Sequence, residues 1–123
     1  MQIIFPILAV AIMLSLFGCG ETFSGASTGV VVTKWGAEGT GDGEFEGGPN
    51  GVAVASDGSV YVGDEWGKVQ KFTSEGVFVS KWGSYGKGDG QFSQPYGVAV
   101  ASDGSVYVAD TVNHRIQKFS PGP

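Results

Sequence analysis

The twelve residues Gly51-Val52-Ala53-Val54-Ala55-Ser56-Asp57-Gly58-Ser59-Val60-Tyr61-Val62 return unchanged as Gly97 through Val108. The agreement extends to either side of this block. Lys34-Trp35-Gly36 returns as Lys81-Trp82-Gly83, Gly41-Asp42-Gly43-Glu44-Phe45 as Gly88-Asp89-Gly90-Gln91-Phe92, and Gln70-Lys71-Phe72 as Gln117-Lys118-Phe119. The offset is 47 at the tryptophans, 46 across the identical block and 47 again at the phenylalanines, so one extra residue near Gly48 is cancelled by one missing near Gly67. Compensating changes in turns, with strand blocks kept, are what stacked structural units tolerate. A period in the forties fits one four-stranded unit per repeat rather than a solenoid coil of about 20 to 30 residues.

Each copy reads as short strands separated by turn residues. Gly97 to Ala101 is a run of small apolar residues, as in a strand buried on both faces in a crowded place. In Ser102-Asp103-Gly104-Ser105 the Asp caps its own backbone and the Gly supplies a positive φ, so this segment and its copy at Asp57 are hairpin turns. Val106 to Ala109, rich in β-branched and aromatic residues, is the second strand. Arg115 to Phe119 is the third, with Lys68 to Phe72 as its counterpart, and Val77 to Trp82 is the fourth, set off by the turn Ser74-Glu75-Gly76. No helical stripe of useful length competes.

Pro95-Tyr96-Gly97-Val98-Ala99-Val100, followed by Val106-Tyr107-Val108-Ala109-Asp110-Thr111-Val112-Asn113-His114-Arg115-Ile116-Gln117-Lys118-Phe119, resembles the NHL repeat, with Arg115 in the place of the Leu of the Asn-His-Leu triplet. The first copy keeps the Asp and a basic residue in Asp64-Glu65-Trp66-Gly67-Lys68 and loses the His. The resemblance implies an all-β fold, a partial β-propeller of two four-stranded NHL-type blades, in a family whose propellers commonly have six. Residues 30–123 then hold two repeats: a closing outer strand at 30–36, a first blade at 49–83 and an incomplete second blade at 95–120.

Ahead of the repeats, Met1 to Gly18 carries no charged side chain, and its apolar run is shorter than the roughly 20 residues a spanning helix needs. It reads as a signal peptide, helical, at 1–18. Leu16-Phe17-Gly18-Cys19 resembles the lipobox of bacterial lipoproteins. That resemblance implies acylation of Cys19, a flexible tether over 19–29, and a protein exported and lipid-anchored on the periplasmic or outer-membrane side, or otherwise secreted. Cys19 is the sole cysteine, so no internal disulfide is available.

The phase of the repeats bears on assembly. Val30 to Trp35 aligns with the fourth strand of the first blade, whereas the second copy lacks its own fourth strand. Two blades cannot close a ring, and bare flanks would expose apolar faces and sheet edges. Either three chains join head to tail as a homotrimer, each donating its Val30 to Trp35 strand, or the repeats belong to a longer array, to which the near-perfect repetition points.

With seven basic against twelve acidic residues and a formal charge of −5, the chain has no basic cluster to hold a phosphate backbone, which argues against a nucleic-acid partner. Asp64 and Asp110 hold equivalent places after the second strand, and repetition favours a structural duty, accepting hydrogen bonds from turn amides or from Lys68 and Arg115. Asn113, His114 and Arg115 complete the repeat motif, and His114, the only histidine, reads as a hydrogen-bonding residue across or between blades. No catalytic constellation, metal site or cofactor motif is visible. The glycine-rich stretches 39–43 and 86–90 lack the strand-to-helix context of a phosphate cradle and read as flexible links. Trp35 and Trp82 read as packing residues. Trp66 and Tyr85 fall in loops at positions where the other copy has different residues, which makes them candidate binding-loop anchors. The expected function is a non-enzymatic scaffold at the cell envelope for a protein, peptide or glycan. The alternative is a fragment of a metal-dependent propeller enzyme similar to amidating lyases or lactonases.

Overall fold

A computed structural model describes residues 29–121. The signal segment, Cys19 and most of the tether lie outside the described residues. The chain divides into a unit ending at Val32 and a unit of Thr33–Pro123. Of the first, only 29–32 are described, and they carry no regular secondary structure.

The second unit is all-β. Seven strands follow in order: β1 (Pro49–Val54), β2 (Val60–Asp64), β3 (Val69–Phe72), β4 (Phe78–Trp82), β5 (Pro95–Val100), β6 (Val106–Asp110) and β7 (Arg115–Phe119). They form two antiparallel sheets, β1-β2-β3-β4 and β5-β6-β7. Each strand sits on a segment expected from the repeat. Asp57 accepts from the Ser59 N–H at 2.8 Å and Asp103 from the Ser105 N–H at 2.9 Å, which closes the two identical hairpins. Direct pairing of Val52 with Val62 and Val54 with Val60 puts four valines on one face of the first sheet, and β5 and β6 repeat the arrangement.

The main core lies between the sheets. The first sheet contributes Tyr61 and Val69, with Ala55 and Trp82 packed against them, and the second contributes Val106 and Val108, with Val98, Val100 and Phe119. Phe92, from the β4–β5 connection, is wholly buried among them. The opposite face of the first sheet holds the matching set of Phe45, Val60, Val62, Phe72 and Phe78.

One expectation about the strands is corrected. Neither copy of the first strand is buried on both faces: Val52 and Val54 of β1 are each 65 % exposed, and Ala99 of β5 is exposed as well. Val98 and Val100, the counterparts of Val52 and Val54, pack against the first sheet, whereas among the described residues no sheet lies over the Val52–Val54 face of β1. Residues 30–36, expected as a closing outer strand, pair with no strand of the two sheets. Trp35 nevertheless packs on Phe72.

Candidate functional site

Because successive strands run in opposite directions, the β2–β3 turn, the β4–β5 connection and the β6–β7 turn emerge at the same end of the sheets. Almost all the residues singled out from the sequence lie on this end. They form a buried polar framework and, above it, an exposed aromatic pair.

The framework is built around Asp110, which has no exposed surface. Its Oδ1 accepts the Ser93 N–H at 2.7 Å. Its Oδ2 accepts from Arg115 Nε at 2.7 Å, Asn113 Nδ2 at 3.0 Å and Gln117 Nε2 at 3.3 Å. Burial pushes the Asp110 pKa up, but the Ser93 N–H together with Arg115 and Asn113 outweighs it and holds the carboxyl below its ordinary value. A carboxylate this fully engaged is an anchor for neighbouring groups. Arg115 Nη2 goes on to donate to Gly88 O at 2.7 Å and Gln91 O at 2.9 Å, and Asn113 Nδ2 donates to Gly86 O at 2.9 Å. Asp64 does similar work in the first sheet with mostly backbone partners, namely the N–H groups of Lys68, Trp66 and Glu46, and the Lys68 ammonium at 3.7 Å.

His114 departs from expectation. Its side chain is exposed and makes no hydrogen bond among the described residues. What distinguishes it is a φ of +56°. The equivalent residue in the first copy is Gly67, with φ +98°, so this position requires a left-handed turn and the cross-links between segments come from Asn113 and Arg115 instead.

The glycine-rich stretches are hydrogen-bonded loops, not loose links. Gln70, fully buried on β3, accepts the Gly43 N–H at 2.8 Å and donates from Nε2 to Glu44 O at 2.6 Å. Gln117 repeats this with the Gly90 N–H and Gln91 O. Each loop is thereby folded inward, delivering Phe45 or Phe92 to its core. In the sequence alone these glutamines are simply polar residues within a strand segment. Their recurrence in Gln-Lys-Phe was the one signal available.

Residues 92–119 match the NHL repeat. The framework of Asp110, Asn113 and Arg115 lies inside that repeat, as do Phe92, β5, β6 and β7. The NHL repeat suggests a protein-interaction module of the β-propeller type, and the two sheets are consistent with NHL blades. No curated protein matches the sequence.

Above the NHL framework the structure brings together the two aromatics that the repeat does not account for. Trp66, in the β2–β3 turn, and Tyr85, in the β4–β5 connection, have ring centroids 5.8 Å apart and planes tilted by 51°. They remain 51 % and 61 % exposed. Beside them lies a cleft of about 220 Å³ lined also by Glu65, Ser93, Gln94 and Val112. Gln94 has φ +60°, in a region where the first copy places Gly47 and Gly48, and its side chain accepts a hydrogen bond from the Tyr96 hydroxyl at 3.0 Å. Among the described residues, no three His, Cys, Asp or Glu side chains group closely enough to hold a metal ion.

Proposed function

We propose that this chain is a non-enzymatic interaction module, held at a bacterial cell envelope through acylated Cys19, that binds a segment of a protein partner on the loop end carrying Trp66 and Tyr85. The observation that carries the reading is the exposed aromatic pair. Two large rings held at a fixed angle on well-anchored turns offer apolar contact at little cost in side-chain entropy, as binding anchors do. The NHL framework supports it, since Asp110, Asn113 and Arg115 fix the loop bearing Tyr85 to the second sheet. Glu65 lines the neighbouring cleft, whose lining among the described residues holds no lysine or arginine. That composition suits a peptide with an apolar anchor next to a basic or hydrogen-bond-donating group. The cell-envelope location rests on the lipobox-like Leu16-Phe17-Gly18-Cys19.

The test uses peptide and glycan arrays probed in parallel with the full chain and with a Trp66→Ala/Tyr85→Ala double variant. Peptide signals that vanish in the double variant support the reading. Signals confined to glycans replace the partner class, and peptide signals unchanged in the double variant overturn the site. Labelling with a palmitate analogue, lost in Cys19→Ser, tests the anchor separately.

A further inference from the structure

The interface between the two sheets has two sides, and the molecule carries a second copy of each on its outer faces, bare at Val52, Val54 and Ile116 while Val62 and Phe72 there are already buried. One side is the face of the first sheet bearing Tyr61, Val69 and Trp82. The other is the face of the second sheet bearing Val98, Val100, Val108 and Phe119, with Phe92 set into it. By the repeat, Val52, Val54, Val62 and Phe72 with Phe45 reproduce the latter on the outer face of the first sheet. Tyr107 and Ile116 reproduce the former on the outer face of the second. Val69 is fully buried, while its equivalent Ile116 is 65 % exposed.

The ring geometry is also reproduced. Trp82 meets Phe119 at a centroid distance of 5.5 Å with planes at 54°, and Phe92 meets Phe119 at 5.6 Å. On the outer face of the first sheet Trp35 meets Phe72 at 5.6 Å and 51°, and Phe45 meets Phe72 at 6.0 Å. Trp35 thus stands where the outer strand of a preceding blade would place its tryptophan, although the described residues form no such blade. On the other outer face the aromatic and basic pair is set as in the interior, with Lys118 Nζ 5.5 Å from the Tyr107 ring centroid and Lys71 Nζ 5.7 Å from that of Tyr61. The open edge of β7 matches the edge of β3 that β4 occupies, where Val69 lies opposite Trp82 and Gln70 opposite Lys81.

From this correspondence we infer that the chain associates with copies of itself head to tail, the Val52–Val54–Phe72 face of one copy covering the Tyr107–Ile116 face of the next. Thr33–Trp35 of the first copy then adds to β7 of the second, with Trp35 opposite Ile116 and Lys34 opposite Gln117. The occupant of each flank is a second copy because the matching half-interface is already built on the far side of the same molecule, with the same residue types in the same register. Contact of this heterologous kind closes into a ring or continues as a filament according to the rotation per copy. Ala109 carries a methyl where the first sheet has Gly63, so the inner strands of neighbouring copies sit slightly further apart than β2 and β5 do within one.

Two single substitutions test this in the full chain, with mass measured by light scattering in one fixed detergent so that the N-terminal segment contributes equally to every sample. Val54→Asp spoils one flank and Ile116→Asp the other, both at side chains exposed in a single copy. The wild type is expected to assemble, each variant alone to associate at least about tenfold more weakly, and their equimolar mixture to form a 1:1 dimer through the two unaltered flanks. The mixture also verifies that both variants are folded. A wild type that stays a single copy, an assembly that either variant leaves intact, or a mixture that fails to pair overturns the inference.

Discussion

Arg115 Nε lies 2.7 Å from Asp110 Oδ2, and the same guanidinium continues to the carbonyl oxygens of Gly88 and Gln91. One side chain therefore ties β7, the end of β6 and the β4–β5 connection together. Asp110→Asn keeps the shape and removes the charge behind several hydrogen bonds, which typically contribute about 1.5–3 kcal/mol each when one partner is ionised. The substitution is expected to lower the urea midpoint by an amount equivalent to a loss of that order, at fixed protein concentration. Asp64→Asn is expected to cost less, since the Lys68 ammonium stands 3.7 Å from the Asp64 carboxylate. The pH dependence has a definite sign. The folded Asp110 pKa is held below the value of 3.8 ordinary for the unfolded chain, so its contribution is fully present above that value and is lost as pH falls through the folded pKa. Asp57 and Asp103, lowered by the Ser59 and Ser105 N–H groups, act in the same direction. Unfolding measured across acid pH should therefore show a shallower decline in Asp110→Asn than in the wild type, without abolishing it.

Gln70 grips the 39–45 loop by two hydrogen bonds made inside the protein. Truncation in Gln70→Ala leaves the Gly43 N–H and the Glu44 carbonyl without their partner, at an expected cost of about 1–3 kcal/mol. The loss is local as well as global. Amide exchange at Gly43 is expected to accelerate in the variant under native conditions, while exchange at Gly90, held by Gln117, stays near its original rate.

The strands were legible in the sequence because their signals are local: Asp-Gly turns, alternating valines and a tyrosine, all written twice. The glutamine clamps were not, since a polar residue in a strand reads as solvent-facing and the far end of each bond is a backbone group 26 or 27 residues away. Nor could identical strands reveal that Val52 and Val54 are bare while Val98 and Val100 are covered, because burial depends on the neighbouring sheet and not on the strand itself. Trp66 and Tyr85 stood out as aromatics that the other copy lacks. Their meeting required the β2–β3 turn and the β4–β5 connection to emerge at one end, a consequence of strand direction that no single segment carries.

His114 and Gly67 share a left-handed backbone, but only the histidine bears a Cβ there. An L-residue in this region is strained by about 1–2 kcal/mol relative to glycine, and the exposed imidazole has no hydrogen bond among the described residues to offset it. His114→Gly is therefore expected to leave stability unchanged or raise it by up to about 1 kcal/mol, once the greater flexibility of unfolded glycine is counted. A rise or level midpoint in urea unfolding meets this expectation. A fall of more than about 1 kcal/mol would assign the imidazole a packing duty of its own.

Gln94 presents the same strain in a different setting, beside the exposed Trp66–Tyr85 cleft. Its φ of +60° persists because the flanking backbone is pinned on both sides: the Ser93 N–H by Asp110, and the Gln94 carbonyl by the Thr111 N–H at 3.3 Å. Strain retained next to an exposed cleft is a mark of a side chain kept for what it presents there, here an amide that also accepts from the Tyr96 hydroxyl. Gln94→Gly separates the two contributions. Relief of the left-handed strain is expected to stabilise the fold by up to about 1 kcal/mol, while loss of the amide weakens binding of any peptide that depends on Trp66 and Tyr85. Measured together, a higher unfolding midpoint with a weaker peptide affinity would place Gln94 within the recognition surface. A higher midpoint with unchanged affinity would confine that surface to the two aromatic rings.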